Sequence, residues 1–366
     1  MAGIYIHIPF CRQACNYCNF HFATSLHYKN EMVVALLKEM QVRKDYLQDE
    51  QVETIYFGGG TPSLLSIEDC QSLIDQCKTV FNVTGDAEIT IETNPDDITE
   101  EKLTGWKTAG INRLSIGVQS FFEEDLQWMN RAHNAEQAIN SLQLAIKQFN
   151  NITIDLIYGH PLLTDEKWEE NVKTVIAMDI PHISCYALTV EPKTPLAKLI
   201  REHQKEDIEP GQQAHQFLLL MDWLGEAGYE HYEISNFAKP GMRSRHNSSY
   251  WSGKKYLGIG PSAHSFDGVS RQWNIANNKL YIESTANGML PEEKEILTDV
   301  QRLNEYIMTS LRTMEGLDLE KAGGSDLRMK SQKFIITGKM IEENGFLKLT
   351  REGKLFADGI AAELFS

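Results

Sequence analysis

Apolar and polar positions alternate along the first half of the chain in a pattern that predicts six short strands, each followed by a helix. The predicted strands cover residues 4–8, 54–57, 88–92, 113–117, 153–158 and 182–188. The predicted helices cover residues 28–48, 67–81, 99–109, 123–130, 135–149 and 166–178. Strands that alternate with helices form parallel βα units with right-handed crossovers, so the pattern indicates an α/β fold.

The polar residues of this region lie mainly where the predicted strands end. Six βα units are too few to close an eight-stranded barrel, so we expect an open, partial TIM-like (β/α)6 barrel with these ends on one rim. Glycine and polar residues occupy the strand ends at 58–62, 92–95, 117–120 and 159–161. Asp155 lies inside an otherwise apolar strand, which costs free energy unless a partner satisfies the carboxylate. We expect Asp155 either to contact a ligand at the rim or to belong to a buried polar network.

The pattern changes near the C-terminus. Helical spacing over residues 297–314 and 329–344 precedes a strand at 346–349 and a last helix that ends at residue 364. This order is typical of a winged-helix-like domain, but residues 298–366 carry ten Lys or Arg against eleven Asp or Glu. That balance favours a structural or docking role over DNA binding. The predicted division is a core of residues 1–240, a connecting segment of residues 241–297 and a C-terminal domain of residues 298–366.

The composition disfavours several classes of function. Apolar residues make up 42% and charged residues 23% of the chain, which is typical of a globular protein. A net charge of −16 without a basic stretch disfavours nucleic-acid binding, because phosphates would be repelled. No apolar run approaches the roughly 20 residues of a membrane helix, and no charged leader precedes the first predicted strand. We therefore expect a cytoplasmic protein whose membrane contact, if any, is peripheral.

Three cysteines near the N-terminus form the most informative motif. Cys11, Cys15 and Cys18 are separated by three and then two residues, so one short loop can surround one inorganic centre. Thiolate is the ligand of iron–sulfur clusters, and three thiolates leave one iron of a four-iron cube open to a small molecule. Two alternatives remain from spacing alone: a zinc site completed by His21, and a chance group of apolar thiols. The other cysteines have apolar neighbours and are predicted to be core residues: Cys70, Cys77 and Cys185.

A second candidate is the segment His-Asn-Ser-Ser-Tyr-Trp at residues 246–251, which a glycine-rich turn follows. An imidazole and flat aromatic faces suit haem iron and a planar ring. The alternative is a packed aromatic corner in which His246 bonds to backbone. Composition alone favours that alternative, because His and Trp are often simply core residues.

Taken together, the motifs at residues 7–18, 58–62, 117–121 and 154–159 resemble those of radical S-adenosylmethionine proteins. The most similar group is the oxygen-independent coproporphyrinogen III oxidases and their relatives, from Tyr5 to about residue 270, with a similar C-terminal domain. The resemblance implies that Cys11, Cys15 and Cys18 bind a 4Fe–4S cluster. It also implies that the cofactor chelates the fourth iron, and that one electron, which a donor must supply to the cluster, cleaves a carbon–sulfur bond of the cofactor.

The resemblance also implies which residues contact S-adenosylmethionine. Gly60 and Thr61 are expected at its methionine end. Its carboxylate and ribose are assigned to Glu92, Gln119, Arg131 and Asp155. Its adenosine is assigned to Tyr5, Tyr17 and Ala187. No residue beyond these is assigned to catalysis, since the radical chemistry belongs to the cofactor.

Three differences separate this chain from the oxidases proper. The oxidases carry a further cysteine where this chain has Phe20, and a long N-terminal segment where this chain has ten residues before Cys11. Residues 246–251 resemble the His-Asn-x-x-Tyr-Trp signature of HemW-type haem chaperones, a subgroup without coproporphyrinogen oxidase activity. The resemblance therefore implies haem binding near His246 and Trp251 and transfer to acceptor haemoproteins, notably membrane respiratory proteins. The alternative function is oxidative decarboxylation of coproporphyrinogen III.

Overall fold

The computed structural model describes residues 1–366. The strands are β1 Ala2–Ile8, β2 Val52–Gly59, β3 Val83–Thr93, β4 Arg113–Gln119, β5 Ile152–Tyr158, β6 His182–Ala187, β7 Glu230–Glu233, β8 Asn236–Ala238, β9 Lys255–Ile259, β10 His264–Phe266, β11 Ser270–Asn274, β12 Glu292–Ile296, β13 Leu317–Asp318, β14 Met340–Glu343 and β15 Phe346–Leu349. The helices are α1 Lys29–Val42, α2 Ile67–Val80, α3 Glu100–Thr108, α4 Glu123–Trp128, α5 Ala135–Ala145, α6 Asp165–Ala177, α7 Pro195–Arg201, α8 Pro210–Glu226, α9 Arg245–Trp251, α10 Asn278–Ala286, α11 Asp299–Leu311, α12 Ser325–Ile336 and α13 Ala357–Leu364.

Twelve strands form one open sheet in the order β12-β11-β10-β9-β1-β2-β3-β4-β5-β6-β8-β7. Strands β1 to β6 are consecutive and parallel, as the alternating pattern predicts. The β7–β8 hairpin ends the sheet beside β6 through antiparallel pairing. The sheet does not close on itself, so the prediction of an open, partial (β/α)6 barrel is confirmed.

Four helices of this barrel begin at a residue whose side chain caps the helix. Ser66 and Asn134 each accept a hydrogen bond from the third residue of the helix and form complete capping boxes at α2 and α5. Thr99 and Thr164 cap α3 and α6 by accepting the same hydrogen bond from the third residue, without the return bond of a capping box. Each such cap stabilises a helix by about 1 kcal/mol. No helix of the chain combines the length and the apolar character needed to cross a membrane.

The inner, concave face of the parallel strands is polar, although parallel sheets usually bury two apolar faces. Tyr56 on β2 donates to Glu92 Oε1 on β3 at 2.8 Å. Arg113 on β4 lies 3.7 Å from Glu88 on β3 and donates to Thr153 on β5. The outer face packs its apolar residues against the helices in a main core of 54 buried side chains. The concave face is therefore free to carry polar ligand contacts.

The segment of residues 241–297 adds four strands to the sheet. Strand β9 pairs in parallel with β1, and β10 to β12 continue antiparallel from it. Buried Glu39 of α1 accepts hydrogen bonds from Gly260 N–H at 2.7 Å and from Asn274 Nδ2 at 2.7 Å. Arg43 completes this network, because it donates hydrogen bonds to Glu39 Oε1 and to Asn274 Oδ1. The segment is thus tied to the barrel, while the proposed boundaries at residues 240 and 297 stay a prediction.

The C-terminal residues form a small unit with its own core of twelve buried side chains. It contains α11, α12 and α13 and a three-stranded sheet in the order β13-β15-β14. This arrangement agrees with the predicted winged-helix-like domain. A β-bridge between Glu233 and Thr313 joins the unit to the β7–β8 hairpin.

One predicted helix of this unit, over residues 329–344, is wrong in its second half. Helix α12 stops before Gly338, which has a φ of +71°, and residues 340–343 form β14. The N–H of Lys339 bonds to the carbonyl of Phe334, as in the Schellman ending of a helix. A glycine at this position ends the helix because it adopts the left-handed conformation without a Cβ clash.

Two further differences concern turns. Asn344 and Gly345 both have positive φ, 53° and 83°, and form the two-residue turn between β14 and β15. The helix predicted over residues 28–48 ends at Val42, and hydrogen-bonded turns follow it as far as Gln48, whose φ is 53°. An Asn-Gly pair is a strong hairpin signal, so the turn at Asn344 and Gly345 could have been predicted from the sequence.

Candidate functional site

The cysteine loop leaves the end of β1 and lies against the glycine-rich tip of β2. Gly60 N–H donates to the carbonyl of Ile8 at 2.9 Å, and Thr61 N–H donates to the carbonyl of Phe10 at 2.7 Å. A Cβ on Gly60 would lie 2.6 Å from Phe10 O and 2.8 Å from Ile8 O. Only glycine allows this approach of two backbone segments. The tip therefore fixes the loop to the rim of the barrel.

The three thiols of the loop are half-buried beside one cation. Arg131 Nη1 lies 3.2 Å from Cys15 Sγ. Burial raises the pKa of Cys11 to about 11 and also raises the pKa of Cys18. Thiolates at these positions therefore need positive partners, which iron ions supply. The set of donors fits an iron–sulfur cluster.

The zinc alternative has less structural support. No three His, Cys, Asp or Glu side chains lie together so that they could hold one metal ion. His21 Nε2 is hydrogen-bonded to Asn278 Oδ1 at 2.7 Å, and the His21 ring stacks on His7. A tetrahedral ion needs four donors around one point, whereas a cubane takes each thiolate on a different iron. The structure therefore contains no preformed three-donor group for a single ion such as zinc. The remaining cysteines are buried core residues, as predicted: Cys70, Cys77 and Cys185.

Arg131 connects the cysteine loop to the strand ends. Its Nη2 donates to Asn94 Oδ1 and to the carbonyl of Gly117, both at 2.8 Å, and its Nη1 lies 3.5 Å from Tyr17 OH. Its Nε is buried without a hydrogen-bond partner, which costs about 1–3 kcal/mol unless a ligand acceptor satisfies it. Asn94 was not among the predicted site residues. Its position in the polar tip at 92–95 was the available signal.

Two carboxylates on the concave face have raised pKa values. Burial raises the pKa of Glu92 to about 7 although Tyr56 OH and Gly59 N–H donate to it. Burial also raises the pKa of Asp155 to about 6, against the opposing charge of Arg113. Glu92 forms no ion pair within the chain. A hydroxyl-bearing ligand would therefore find hydrogen-bond acceptors in both carboxylates, and a cationic ligand would favour the ionised form of Glu92.

The other predicted cofactor residues lie on or at the ends of the same strands, and Ala187 packs its side chain against the main apolar core. Tyr5 is on the concave side of β1, with its OH 3.2 Å from His7 Nδ1. Gln119 ends β4 with a φ of +69°, a strained conformation for a residue other than glycine. Ala187 ends β6 and pairs with Tyr158. The structure thus brings the strand-end residues to one rim, while their roles remain predictions.

Helix α9, which carries the residues at 246–251, covers the lower part of the concave face. Buried His246 lies 2.8 Å from Thr54 Oγ1 through Nδ1 and stacks on Tyr56 with 4.8 Å between ring centroids. Its Nε2 is buried without a partner. The Glu88 carboxylate accepts the N–H groups of Arg245 and His246 at 3.2 and 3.1 Å. The first turn of α9 is therefore anchored on the barrel floor.

A cavity of about 700 Å³ lies between α9, β10, β11 and α11. Its apolar walls include Tyr250, Trp251, Tyr256, Phe266, Tyr306 and Met308. Its charged walls are Lys254, Arg271, Arg302, Arg312, Glu233 and Glu305. Trp251 lines the cavity, and its indole Nε1 is buried without a partner. The two predicted haem residues are thus separated, because His246 lies behind Tyr250 on the barrel side.

Acid should destabilise the fold through its buried histidines. Burial lowers the pKa of His246 from 6.5 to about 3, and burial lowers those of His133 and His231 to about 3 as well. Below pH 6.5 the unfolded chain binds protons that the folded chain does not, so stability falls as pH falls toward 3. Between pH 6.5 and pH 5 the free energy of unfolding of the wild type should fall. We expect the fall in His246→Gln to be smaller by about 2 kcal/mol. Urea unfolding at both pH values measures this difference.

The matched control for that experiment is His27→Gln, since His27 is exposed. It should keep the full pH dependence of the wild type. An unchanged pH dependence in His246→Gln would show that His246 is protonated equally in both states.

The chain is similar to known proteins in both sequence and structure. Residues 5–175 match the Radical SAM superfamily model. The chain is 33% identical over 368 residues to heme chaperone HemW of Mycobacterium tuberculosis, covering 99% of this chain and 94% of that protein. It is 34% identical to heme chaperone HemW of Bacillus subtilis, covering 98% of each.

Solved structures show the same fold. The structure of coproporphyrinogen III oxidase HemN from Escherichia coli, described as a radical SAM enzyme, superposes with a TM-score of 0.85 at 23% identity. It covers 100% of this chain and 90% of that chain. Native anSMEcpe with bound AdoMet superposes with a TM-score of 0.52 at 12% identity, covering 99% of this chain and 98% of that chain. At these identities the likeness concerns the fold alone.

Proposed function

Because the chain belongs to the HemW family within the radical SAM superfamily, we propose that it is a haem chaperone. In this proposal it binds haem, passes it to acceptor haemoproteins, and carries a 4Fe–4S cluster and S-adenosylmethionine. The relatives named as heme chaperones match along nearly the whole chain. The observation that carries the proposal is the aromatic, cation-lined cavity beside α9.

The cluster is assigned to Cys11, Cys15 and Cys18, whose donor set fits it. When bound, the cluster and its cofactor supply reductive cleavage of a carbon–sulfur bond. Arg131 stays close to the thiolates and offsets their negative charge. The Gly60 tip keeps the loop at the rim.

The cofactor is assigned to the surface beside this loop. The unpartnered Nε of Arg131 is suited to a carboxylate. Glu92 has no cationic partner in the chain, so we assign it to the ammonium group instead of the carboxylate or ribose expected from the sequence. Asp155 can accept hydrogen bonds from ribose hydroxyls. The remaining predicted contacts border the same surface: Tyr5, Tyr17, Thr61, Gln119 and Ala187.

Haem is assigned to the cavity next to α9. Its volume of about 700 Å³ lies within the roughly 300–1,000 Å³ of typical ligand sites. Trp251 and Tyr250 offer aromatic faces to a planar ring. Tyr186 lines the cavity and precedes Ala187 on β6. The haem site and the cofactor site therefore share a strand.

The partners in this proposal are haem, an electron donor for the cluster and apo-haemoproteins, including respiratory proteins of the membrane. The compartment proposed is the cytoplasm, with peripheral contact where the acceptor is in a membrane. The alternative function, oxidation of coproporphyrinogen III, is supported by fold likeness, and a fold by itself does not carry an activity.

Removing the indole from the cavity should weaken haem binding. We expect Trp251→Ala to lower haemin affinity about tenfold or more, because the ring loses an aromatic contact worth about 1.4 kcal/mol. Titration with haemin, followed at the Soret band, measures the affinity. Phe356→Ala, an exposed aromatic outside the cavity, serves as the control. Equal haemin affinity of Trp251→Ala and wild type would place haem elsewhere.

A further inference from the structure

The cavity differs in charge from the rest of the chain. Its walls carry four cations, Lys254, Arg271, Arg302 and Arg312, against two carboxylates, Glu233 and Glu305. Its formal charge is therefore +2, in a chain whose net charge is −16. A positive cavity in an acidic protein favours an anionic ligand.

Helix α11 places two of these cations at opposite ends of the cavity. Arg302 and Arg312 are ten residues apart, which is about 15 Å along a helix. Arg312 has one buried and one exposed partner: its Nε donates to buried Glu233 at 2.9 Å, and its Nη1 donates to exposed Asp358 at 3.1 Å. Its guanidinium also lies 5.1 Å from the centre of the Trp251 ring. Arg312 therefore closes one end of the cavity and is held there by the buried carboxylate of Glu233.

The opposite end contains cations with weaker partners. Arg271 Nη2 lies 3.0 Å from Glu305, but its Nε is buried without a hydrogen-bond partner. Arg302 donates to the carbonyl of Leu297 at 2.9 Å and pairs with Asp299, a carboxylate that is 95% exposed. Exposed ion pairs contribute little to stability, so Arg302 can exchange this partner for a ligand. A buried donor without an acceptor gains free energy when a carboxylate supplies one.

We propose that Arg271 and Arg302 form a carboxylate-binding subsite that holds the two propionates of haem. This inference rests on the proposed function. Guanidinium groups bind carboxylates through paired, charge-assisted hydrogen bonds. The propionates then lie at the Arg271 end, and the ring extends along α11 toward Trp251. The subsite selects tetrapyrroles with free carboxylates over their esters.

The test uses the full-length protein and two probes, haemin and haemin dimethyl ester, in Soret titrations. Wild type should bind haemin about tenfold to a hundredfold more tightly than the ester, since charge-assisted bonds contribute about 1.5–3 kcal/mol. The double variant Arg271→Gln/Arg302→Gln should bind haemin about tenfold to a hundredfold more weakly than wild type does. Its affinity for the dimethyl ester should equal that of wild type. Arg328→Gln is the matched control, because Arg328 is an exposed arginine of α12 paired with Glu342 outside the cavity.

The possible results test the carboxylate-binding subsite and the haem-binding function independently. If wild type binds haemin and its ester equally, the subsite is overturned and the haem-binding function stands. This comparison needs no variant, so misfolding of the double variant does not affect it. Unchanged haemin affinity in the folded double variant also overturns the subsite. Failure of wild type to bind haemin at all overturns both the proposed function and the subsite.

Discussion

Alanine in place of Cys11, Cys15 or Cys18 is expected to abolish iron and sulfide binding by the anaerobically reconstituted protein. Each thiolate binds a different iron, so the loss of one leaves two irons of the cube without a protein ligand. No other cysteine is available, because the remaining three are buried in the core. Iron and acid-labile sulfide analysis with EPR of the reduced protein measures the effect. Addition of S-adenosylmethionine should perturb the EPR signal of wild type only.

The control is Cys70→Ala, which removes a thiol that is fully buried among apolar residues of α2. It should retain full iron and sulfide content with at most a modest loss of stability. If wild type contains zinc and lacks iron and sulfide, that result would support the zinc site as the correct interpretation. A full cluster in all three alanine variants would contradict the assignment of the ligands.

Gly60→Ala is expected to cause nearly the same loss of cluster while all three thiols remain. The added Cβ would lie 2.6 Å from Phe10 O and 2.8 Å from both Ile8 O and Phe10 N. These are backbone atoms and cannot rotate away, so the cysteine loop must shift from the tip of β2. Overpacking of this kind costs about 1–3 kcal/mol. Iron content and thermal unfolding measure the two consequences.

Gly85→Ala is the matched control, since a Cβ at Gly85 meets nothing within 4 Å. It should bind the cluster like wild type. Full iron content and an unchanged melting temperature in Gly60→Ala would show that the loop has room to adjust, and that its position is not fixed by this contact.

The order of elements in the barrel was predictable because each signal is local. Six strands show apolar patterning, and the stretches between them show helical apolar spacing. The wrong half of the helix over residues 329–344 has the same origin. Its helical apolar spacing continues past Gly338, although a glycine in the left-handed conformation ends the helix there.

The strands of residues 241–297 were not predicted. Strand β9 is short, and its pairing partner β1 is separated from it by about 250 residues. The network of Glu39, Arg43 and Asn274 that holds this segment joins residues far apart in sequence. Hydrophobic periodicity carries no signal for such contacts, because they depend on the folded sheet.

The candidate site also combines features that the sequence reveals with features that depend on the fold. The thiol spacing, the glycine tip and the polar strand ends could be read from the chain. Asn94, Tyr56 and Glu88 were not named as site residues, because their roles come from contacts with residues that are distant in the sequence. In the case of Glu92, the raised pKa depends on burial, which only the fold defines.

By itself, the sequence determined the βα order, the cysteine loop and the presence of an aromatic segment at residues 246–251. Only the tertiary structure decided what that segment faces. His246 and Trp251 are five residues apart on one helix, so their side chains point about 140° away from each other. One faces the barrel floor and the other faces the cavity. The partners on each side come from β2, β11 and α11, and chain folding alone brings these elements together.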